Sequence, residues 1–183
     1  MKLLFISLGC DKNLVDTEKM LGLLGHEGYS FVDDETVADI IVVNTCCFIG
    51  DAKEESIEMI LQFAERKNKG KLRKLYVMGC LSQRYREELP TEIPEVDKWF
   101  GKFDYLGIVN ELKGGRSKVK GVEYERTLTT PKHYAYLKIA EGCNRYCSYC
   151  AIPLITGRFT SRTKEDILNE VRWLVSEGVR EFN

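Results

Sequence analysis

Ile40-Ile41-Val42-Val43-Asn44-Thr45 begins with four β-branched apolar residues and runs directly into Cys46-Cys47. A continuous apolar run of this kind is typical of a strand buried on both faces of a parallel sheet. Similar runs occur at residues 2–8 and 75–79, and residues 51–67 between them have apolar side chains at helical spacing. The alternation predicts an α/β domain with a doubly wound, flavodoxin-like parallel sheet in the strand order 2-1-3-4-5.

The other elements follow from the same periodicities and from turn residues. We expect strands at 2–8, 29–32, 40–45, 75–79 and 96–100, and helices at 13–25, 51–67, 82–89 and 104–113. Asn13 is a candidate N-cap of the first helix, and Asp51 with Glu54 suits a capping box of the second.

Three cysteines lie where neighbouring strands of this sheet should end. Cys10, Cys46 and Cys80 directly follow the first, third and fourth strands. In the predicted order these strands are adjacent, about 4.8 Å apart, and their carboxyl ends share one edge. The sequence therefore predicts three thiols within reach of one iron–sulfur cluster, with three buried core cysteines as the alternative.

Because Cys47 directly follows Cys46, the ligand at the end of the third strand has two possible assignments. Cys47 is either a spare thiol beside Cys46 or the ligand itself, with Cys46 buried. Cys46 is preferred because it directly follows the strand, as Cys10 and Cys80 follow glycines.

A second cysteine triad lies at Cys143, Cys147 and Cys150, with the spacing C-x3-C-x2-C. Iron–sulfur clusters usually take four thiolates, so three leave one iron without a protein ligand. An open coordination position is where chemistry takes place. The alternative is half of a zinc site, but neither His nor Cys follows Cys150.

Composition excludes several classes of protein. The chain of 183 residues is 44% hydrophobic with a net charge of −1, so no global field attracts nucleic acid or membrane. No apolar run has the length of a membrane span. Seven cysteines without a secretion signal indicate metal sites in a reducing, cytoplasmic environment. The basic run at 66–74 is expected on the side of the sheet opposite the cysteines, as a solvated loop or, alternatively, a nucleic-acid patch.

The expected domain organisation has three parts. Residues 1–115 form the N-terminal domain, residues 116–133 a linker with a hairpin, and residues 134–183 the start of a second domain. That last part has one strand and a helix at 164–177 with Thr163 as its N-cap. A lone βα unit cannot bury its sheet, so we expect the chain to be a fragment cut inside a barrel-type domain.

The spacing C-x3-C-x2-C resembles that of the radical S-adenosylmethionine (SAM) enzymes, and two triads in this order resemble the methylthiotransferases among them. The resemblance implies an N-terminal methylthiotransferase domain, a truncated radical SAM (β/α) barrel, SAM, and two 4Fe-4S clusters on the two triads. It implies that the cluster on Cys143, Cys147 and Cys150 cleaves SAM, and that Tyr149 lies near the adenine of SAM. The cluster on Cys10, Cys46 and Cys80 would deliver the sulfur.

Three motifs resemble the branch of that family that modifies a ribosomal protein: Lys12-Asn13-Leu14-Val15-Asp16, Phe48-Ile49 and Gln83-Arg84-Tyr85. Asp11 and Cys47 depart from the branch's common residues. The resemblance implies methylthiolation of the β-carbon of an aspartate in a small-subunit ribosomal protein, with tRNA adenosine as the alternative substrate. It also implies RNA contact through a C-terminal β-domain and an electron donor that it does not identify. This fragment alone is expected to be inactive.

Two further alternatives come from other classes of protein. One is a non-catalytic two-cluster electron carrier, which would need four ligands for each cluster. The other is a zinc-stapled binding module. No side chain is typical of a general base, and Asp16 and Glu18 are interpreted as acids of a helix's first turn.

Overall fold

The computed structural model describes residues 1–25, 29–114 and 126–183. A parallel sheet of five strands lies at the centre of the first part of the chain, in the order β2-β1-β3-β4-β5. Its strands are β1 (Lys2–Ser7), β2 (Ser30–Phe31), β3 (Ile40–Thr45), β4 (Lys74–Gly79) and β5 (Lys98–Trp99). The predicted doubly wound parallel sheet, including its flavodoxin-like strand order, is confirmed.

Strand β3 is apolar throughout its first four residues because it lies in the middle of the sheet. All six of its residues are buried. Its backbone pairs with β1 on one side and β4 on the other. Ile41 and Val43 contribute to the core on one face, and Ile40 and Val42 to the core on the other. A strand with two buried faces gains from apolar residues at every position, which explains the absence of alternation.

Helices cover both faces of the sheet. They are α1 (Asp11–Gly25), α2 (Gly50–Asn68), α3 (Cys80–Arg84), α4 (Leu89–Glu92) and α5 (Tyr105–Lys113), with a 3₁₀ turn at Glu35–Val37. Ile60 and Phe63 of α2 are buried in one core. Met20 of α1 and Ile108 of α5 are buried in the core on the opposite face. This two-sided cover is what makes the sheet doubly wound.

Three local predictions are wrong. Helix α1 begins at Asp11, so Asn13 lies inside the helix and is not its N-cap. Helix α2 follows Ile49 without a side-chain cap, so Asp51 and Glu54 form no capping box. The helix predicted at 82–89 is replaced by α3 and α4, the second of which has a proline in its first turn.

The second part of the chain begins with a small βαβ unit. Its elements are β6 (Tyr134–Ala135), β7 (Ala140–Glu141), α6 (Ile152–Thr156), β8 (Thr160–Ser161), α7 (Lys164–Ser176) and β9 (Glu181–Phe182). β6 pairs in parallel with β9 across α7, whereas β7 and β8 form an antiparallel pair. Thr163 caps α7 as predicted, because its side chain accepts a hydrogen bond from the Asp166 amide. The predicted linker and hairpin fall largely on residues 115–125, outside the described residues.

Buried ion pairs connect α1 to the second part of the chain, residues 126–183. Glu18 accepts hydrogen bonds from the amide and hydroxyl of Thr129, at 2.7 and 2.9 Å. The Arg126 side chain lies between Glu18 and Glu170, at 3.5 and 3.4 Å, and is fully buried. Arg162 also pairs with Glu170. Glu18 is therefore a buried anchor between two parts of the chain, and its interpretation as a first-turn acid is wrong.

The basic run at 66–74 makes local ion pairs. Arg66 pairs with Glu35 at 2.8 Å, and Lys67 and Lys74 both pair with Asp97, at 2.6 and 2.8 Å. These contacts connect the start of β4 to neighbouring loops, at the edge of the sheet opposite its carboxyl ends. Among the described residues no helix combines the length and the apolar character that a membrane span requires.

Candidate metal centre

Cys10, Cys46 and Cys80 lie together at the carboxyl edge of the sheet. Cys10 precedes α1, Cys46 follows β3, and Cys80 is the first residue of α3. All three line one cavity of about 290 Å³, which is the size of a small ligand pocket. The structure thus brings together three residues that are far apart in sequence, at the edge where open parallel sheets bind their ligands.

Two glycines shape the backbone around these cysteines. Gly9 has φ +88°, and a Cβ atom there would lie 2.3 Å from Cβ and 2.5 Å from Sγ of Cys46. Gly79 has φ +102°, and a Cβ atom there would lie 2.5 Å from Oδ1 of Asn44. Both positions need the left-handed backbone and the small volume that only glycine supplies. The Gly-Cys pairs therefore allow the strand ends to approach one another closely.

The side chain of Asn13 joins the three strand ends. Its amide nitrogen donates to the carbonyl oxygens of Leu8 and Thr45, both at 2.9 Å. Its Oδ1 lies 3.6 Å from Sγ of Cys80. Asn13 was expected to cap a helix, but its partners are up to 89 residues away in sequence. It holds the three cysteine-bearing strand ends in register.

The loop that carries Cys46 is fixed by Ser56 of α2. The Cys46 amide donates to Ser56 Oγ at 3.0 Å, and the hydroxyl donates back to the Cys46 carbonyl at 2.9 Å. Ser56 is completely buried. Because both backbone groups of Cys46 are satisfied by one side chain, the position of its sulfur is set by helix packing.

The three thiols differ in their acidity. A hydrogen bond from the Cys46 thiol lowers the pKa of Cys10 to about 5, against the effect of burial. The same hydrogen bond, together with burial, raises the pKa of Cys46. Burial raises the pKa of Cys80 to about 11, although the charge of Lys102 opposes it. The site therefore contains one sulfur that ionises readily, and thiolate is the form that binds metals.

Cys47 has different surroundings from those of Cys46. It is 2% exposed and belongs to the hydrophobic core that includes Ile60 and Phe63. Burial raises the pKa of its thiol, with Arg84 as an opposing influence. Cys46, in contrast, lines the cavity. This placement favours Cys46 as the residue that faces a bound group.

A buried lysine, Lys102, also lines the cavity. It is 2% exposed, and its ammonium donates to Oδ2 of Asp16 at 2.9 Å and to Oδ1 of Asn13 at 3.1 Å. Oδ1 of Asp16 accepts hydrogen bonds from Tyr105, at 2.6 Å, and from Lys138. Burial acts to raise the pKa of Asp16, but the two lysines outweigh it and the pKa is lowered. Asp16 is thus a buried carboxylate between two cations.

The position of Lys102 beside the cysteines follows from the sequence by the argument that applies to the cysteines themselves. Lys102 follows β5 closely, just as the three cysteines follow β1, β3 and β4. All of them therefore lie at the same edge of the sheet. The rule that located the cysteines applies equally to this lysine.

Cys143, Cys147 and Cys150 lie in one loop between β7 and α6. The Cys143 amide donates to the Gly157 carbonyl, and the Cys150 amide to the Cys147 carbonyl, at 3.1 and 3.0 Å. Cys147 is exposed, and the other two cysteines are partly exposed. Tyr149, expected near the adenine of SAM, is 90% exposed. The loop thus lies at the surface of the described residues, with all three of its cysteines at least partly exposed.

The segments on either side of the loop that carries the second triad line the cavity of the first triad. Glu141 precedes the loop, and Ile152, Ile155 and Thr156 belong to the helix that follows it. All four line the cavity that contains Cys10, Cys46 and Cys80. The segments that flank the second triad therefore form part of the wall of the first triad's cavity.

The three thiols of the first triad can be compared with the requirements of two kinds of metal group, a zinc ion and an iron–sulfur cluster. Within residues 1–25, 29–114 and 126–183, no three His, Cys, Asp or Glu side chains converge closely enough to hold a single metal ion. Zinc requires such convergence, with thiolates about 2.3 Å from the ion. A four-iron cluster bonds each cysteine through a different iron, so its ligands surround a volume instead of a point. Three sulfurs around one cavity fit the cluster.

Fold and site together define a class of protein: a parallel α/β domain with a cysteine triad at its carboxyl edge, joined to a second α/β unit with its own triad. The chain belongs to the uncharacterized protein family UPF0004, whose profile matches residues 2–101. Residues 137–183 match the radical SAM superfamily. The resemblance of the C-x3-C-x2-C loop to that superfamily is confirmed.

Curated relatives confirm the resemblance to the methylthiotransferases as well. The ribosomal protein uS12 methylthiotransferase RimO of Bacteroides thetaiotaomicron is 60% identical over 179 residues, which are 97% of this chain and 41% of the relative. The protein of the same name from Lachnoclostridium phytofermentans is 50% identical over 193 residues, covering 100% of this chain and 44% of the relative. The chain thus spans less than half the length of the curated relatives it matches.

A solved structure has a related fold. It is the radical S-adenosylmethionine methyltransferase TsrM from Kitasatospora setae, with cobalamin and a [4Fe-4S] cluster bound. The TM-score is 0.55 at 12% sequence identity, covering 98% of this chain and 47% of that chain. At this identity the likeness concerns the fold alone.

Proposed function

We propose that this chain, at the full length of its relatives, is a radical SAM enzyme that methylthiolates the β-carbon of an aspartate in a small-subunit ribosomal protein. The relatives are named for the ribosomal protein uS12, which makes the corresponding protein the proposed substrate. The observation that carries the proposal is the shared cavity: residues beside the second cysteine triad line the cavity of the first.

Each triad has a separate role in this proposal. Cys143, Cys147 and Cys150 hold one 4Fe-4S cluster, and Cys10, Cys46 and Cys80 hold the other. When bound, such clusters supply one-electron reduction of SAM and an open iron position for sulfur. Tyr149 would lie near the adenine of SAM. Cys47 is not a ligand, a proposal supported by the cavity lining, which includes Cys10, Cys46 and Cys80 but not Cys47.

The chain's own residues prepare the site for that chemistry. Asn13 and Ser56 fix the backbone that carries the first triad. The side chains of Ile152 and Ile155 form an apolar wall of the cavity, which limits the access of water to reactive species. Glu141 and Ile152, which flank the loop of the second triad, line the same cavity, so a substrate bound there would lie beside the residues that would hold each cluster.

The remaining proposals concern the setting of the reaction. The domain boundaries remain 1–115, 116–133 and 134–183. We place the enzyme in the cytoplasm, where reduced thiols persist. Its partners are the ribosomal protein, an electron donor, and RNA contacted by a β-domain at the C-terminus. Four residues of the basic run, Arg66, Lys67, Lys69 and Lys74, pair with local acids, so the run does not favour tRNA as the substrate.

The substrate assignment predicts a defined product. The full-length protein is reconstituted without oxygen and incubated with SAM, a reductant, sulfide and either uS12 or hypomodified tRNA. We expect mass spectrometry to show one added methylthio group on an aspartate of uS12 and none on the tRNA. The Cys10→Ala/Cys46→Ala/Cys80→Ala variant is the control and should give no methylthio product. Modification of the tRNA, with none on uS12, would contradict the assignment and favour the tRNA branch.

A further inference from the structure

Lys102 places a buried positive charge on the wall of the first triad's cavity. It is among the largest fully buried side chains of the described residues. Its ammonium has three N–H donors, and two of them are directed to Asp16 and Asn13. Burial of an ammonium is unfavourable unless it is compensated, so the position of Lys102 beside Cys80 needs a physical reason.

The charged groups around Lys102 balance in number, so its influence on the cavity depends on their positions. Its counter-ion is Asp16, which is 1% exposed and is shared with Lys138. Lys138 has a second partner in Glu141, at 2.7 Å. Tyr105 and Asn13 contribute neutral hydrogen bonds. Of these charged groups, Lys102 and Glu141 line the cavity, whereas Asp16 is not among its lining residues.

We propose that Lys102 raises the reduction potential of the cluster held by Cys10, Cys46 and Cys80. This inference rests on the proposed function only in requiring a cluster at that triad. Reduction adds one electron to the cluster, and a nearby cation stabilises the more negative state. Net charge and hydrogen bonding are among the properties that set cluster potentials. The interaction is strong because water, which would screen the charge, is excluded from Lys102.

Lys12 is a matched control for Lys102, because both lysines line the same cavity. The Lys12 side chain, however, is 55% exposed. It lies 3.8 Å from Glu141 and donates to the Ala140 carbonyl at 3.3 Å. Because water screens an exposed ammonium, its charge should have little influence on the cluster.

The test is a redox titration followed by electron paramagnetic resonance (EPR). The full-length protein with Cys143, Cys147 and Cys150 replaced by alanine serves as the parent, so that only the first cluster contributes a signal. In Lys102→Met, the ratio of reduced to oxidised cluster at a fixed potential should fall about tenfold, which corresponds to about 59 mV for one electron. Lys102→Arg should stay near the parent, and Lys12→Met should change the ratio by less than about twofold.

A second variant, Asp16→Asn, distinguishes an effect of the Lys102 charge on the potential from an effect of damaged structure. Asp16→Asn removes the counter-ion and keeps Lys102, so the ratio of reduced to oxidised cluster should rise. A residue that merely supports the fold would move the potential in the same direction in both variants. If Lys102→Met loses its cluster, the other two variants still decide the case, because Asp16→Asn is expected to raise the ratio and Lys102→Arg to leave it near the parent.

The outcomes distinguish this inference from the proposed function. An unchanged potential in Lys102→Met with full iron content, or a fall in Asp16→Asn, would overturn the role of Lys102 and leave the two-cluster proposal intact. A parent protein without iron would overturn both.

Discussion

Replacing Cys10, Cys46 and Cys80 together by alanine is expected to halve the iron content of the reconstituted full-length protein and to leave SAM cleavage intact. The first triad comes from three strand ends of the N-terminal sheet, whereas the second triad lies in a single loop between β7 and α6. Each triad therefore has its own backbone support. Loss of three ligands should remove one cluster entirely, since thiolates are the groups that hold it.

The measurements are iron and sulfide per chain, together with the yield of 5′-deoxyadenosine from SAM. Cys47→Ala is the matched control, because Cys47 is adjacent to Cys46 but belongs to the hydrophobic core. It should keep the full iron content, whereas Cys46→Ala alone should lose the first cluster. If SAM cleavage disappeared in the triple variant while the second cluster was retained, the division of roles between the triads would be wrong.

Arg126→Met is expected to lower the free energy of unfolding by about 3–5 kcal/mol, the usual effect of removing one partner from a buried ion pair. The Arg126 side chain is fully buried between Glu18 and Glu170. Its loss would leave two buried carboxylates, and Thr129 and Arg162 compensate them only in part. The same change removes a hydrogen bond to the Tyr136 carbonyl, so the second part of the chain should detach from α1.

Urea denaturation gives the free energy, and hydrogen exchange shows where protection is lost. Exchange should increase in α7 and in residues 126–141 more than in the five-stranded sheet. Arg172→Met is the control: Arg172 is an exposed arginine of α7 with one hydrogen bond, to Asn169, so its replacement should change stability by less than about 0.5 kcal/mol. An Arg126→Met variant as stable as this control would show that the buried ion pairs do not anchor α1.

The sheet and the position of its cysteines could be predicted from the sequence for one physical reason. Buried parallel strands are continuous apolar runs, and their carboxyl ends meet at a single edge. Once β1, β3 and β4 are placed side by side, the residues that follow them must lie close together. The cavity lined by Cys10, Cys46 and Cys80 agrees with this argument.

The polar residues of the site could not be interpreted from local patterns. Asn13 lies in the first turn of α1 and Asp16 and Glu18 lie further along it, where sequence patterns offer only capping and dipole effects as an explanation. The side-chain partners of Asp16 and Glu18 are 86 to 122 residues distant, as with Lys102 and Lys138 around Asp16, and Asn13 contacts Lys102, 89 residues away. Sequence spacing has no information about such contacts, because they depend on how separate elements pack.

The second part of the chain was predicted only in outline. The single strand expected from residue 134 is divided into β6 and β7, which pair with different partners. The periodicity of Tyr134-Ala135-Tyr136-Leu137 is compatible with one strand. The interruption arises at residues 136–139, where Lys138 turns to a buried carboxylate of another element. Tertiary ion pairing therefore overrides local strand propensity.

The central claim is that the two cysteine triads hold two clusters, the second of them in a loop whose flanking residues line the cavity of the first. The most direct test is an EPR spectrum of the full-length protein with both clusters reduced, compared with the sum of spectra from two variants that each lack one triad. Two clusters held by neighbouring segments should couple magnetically, so we expect broadened lines that the sum does not reproduce. A spectrum equal to the sum, from protein with the full iron content of both clusters, would place the clusters far apart and contradict the account.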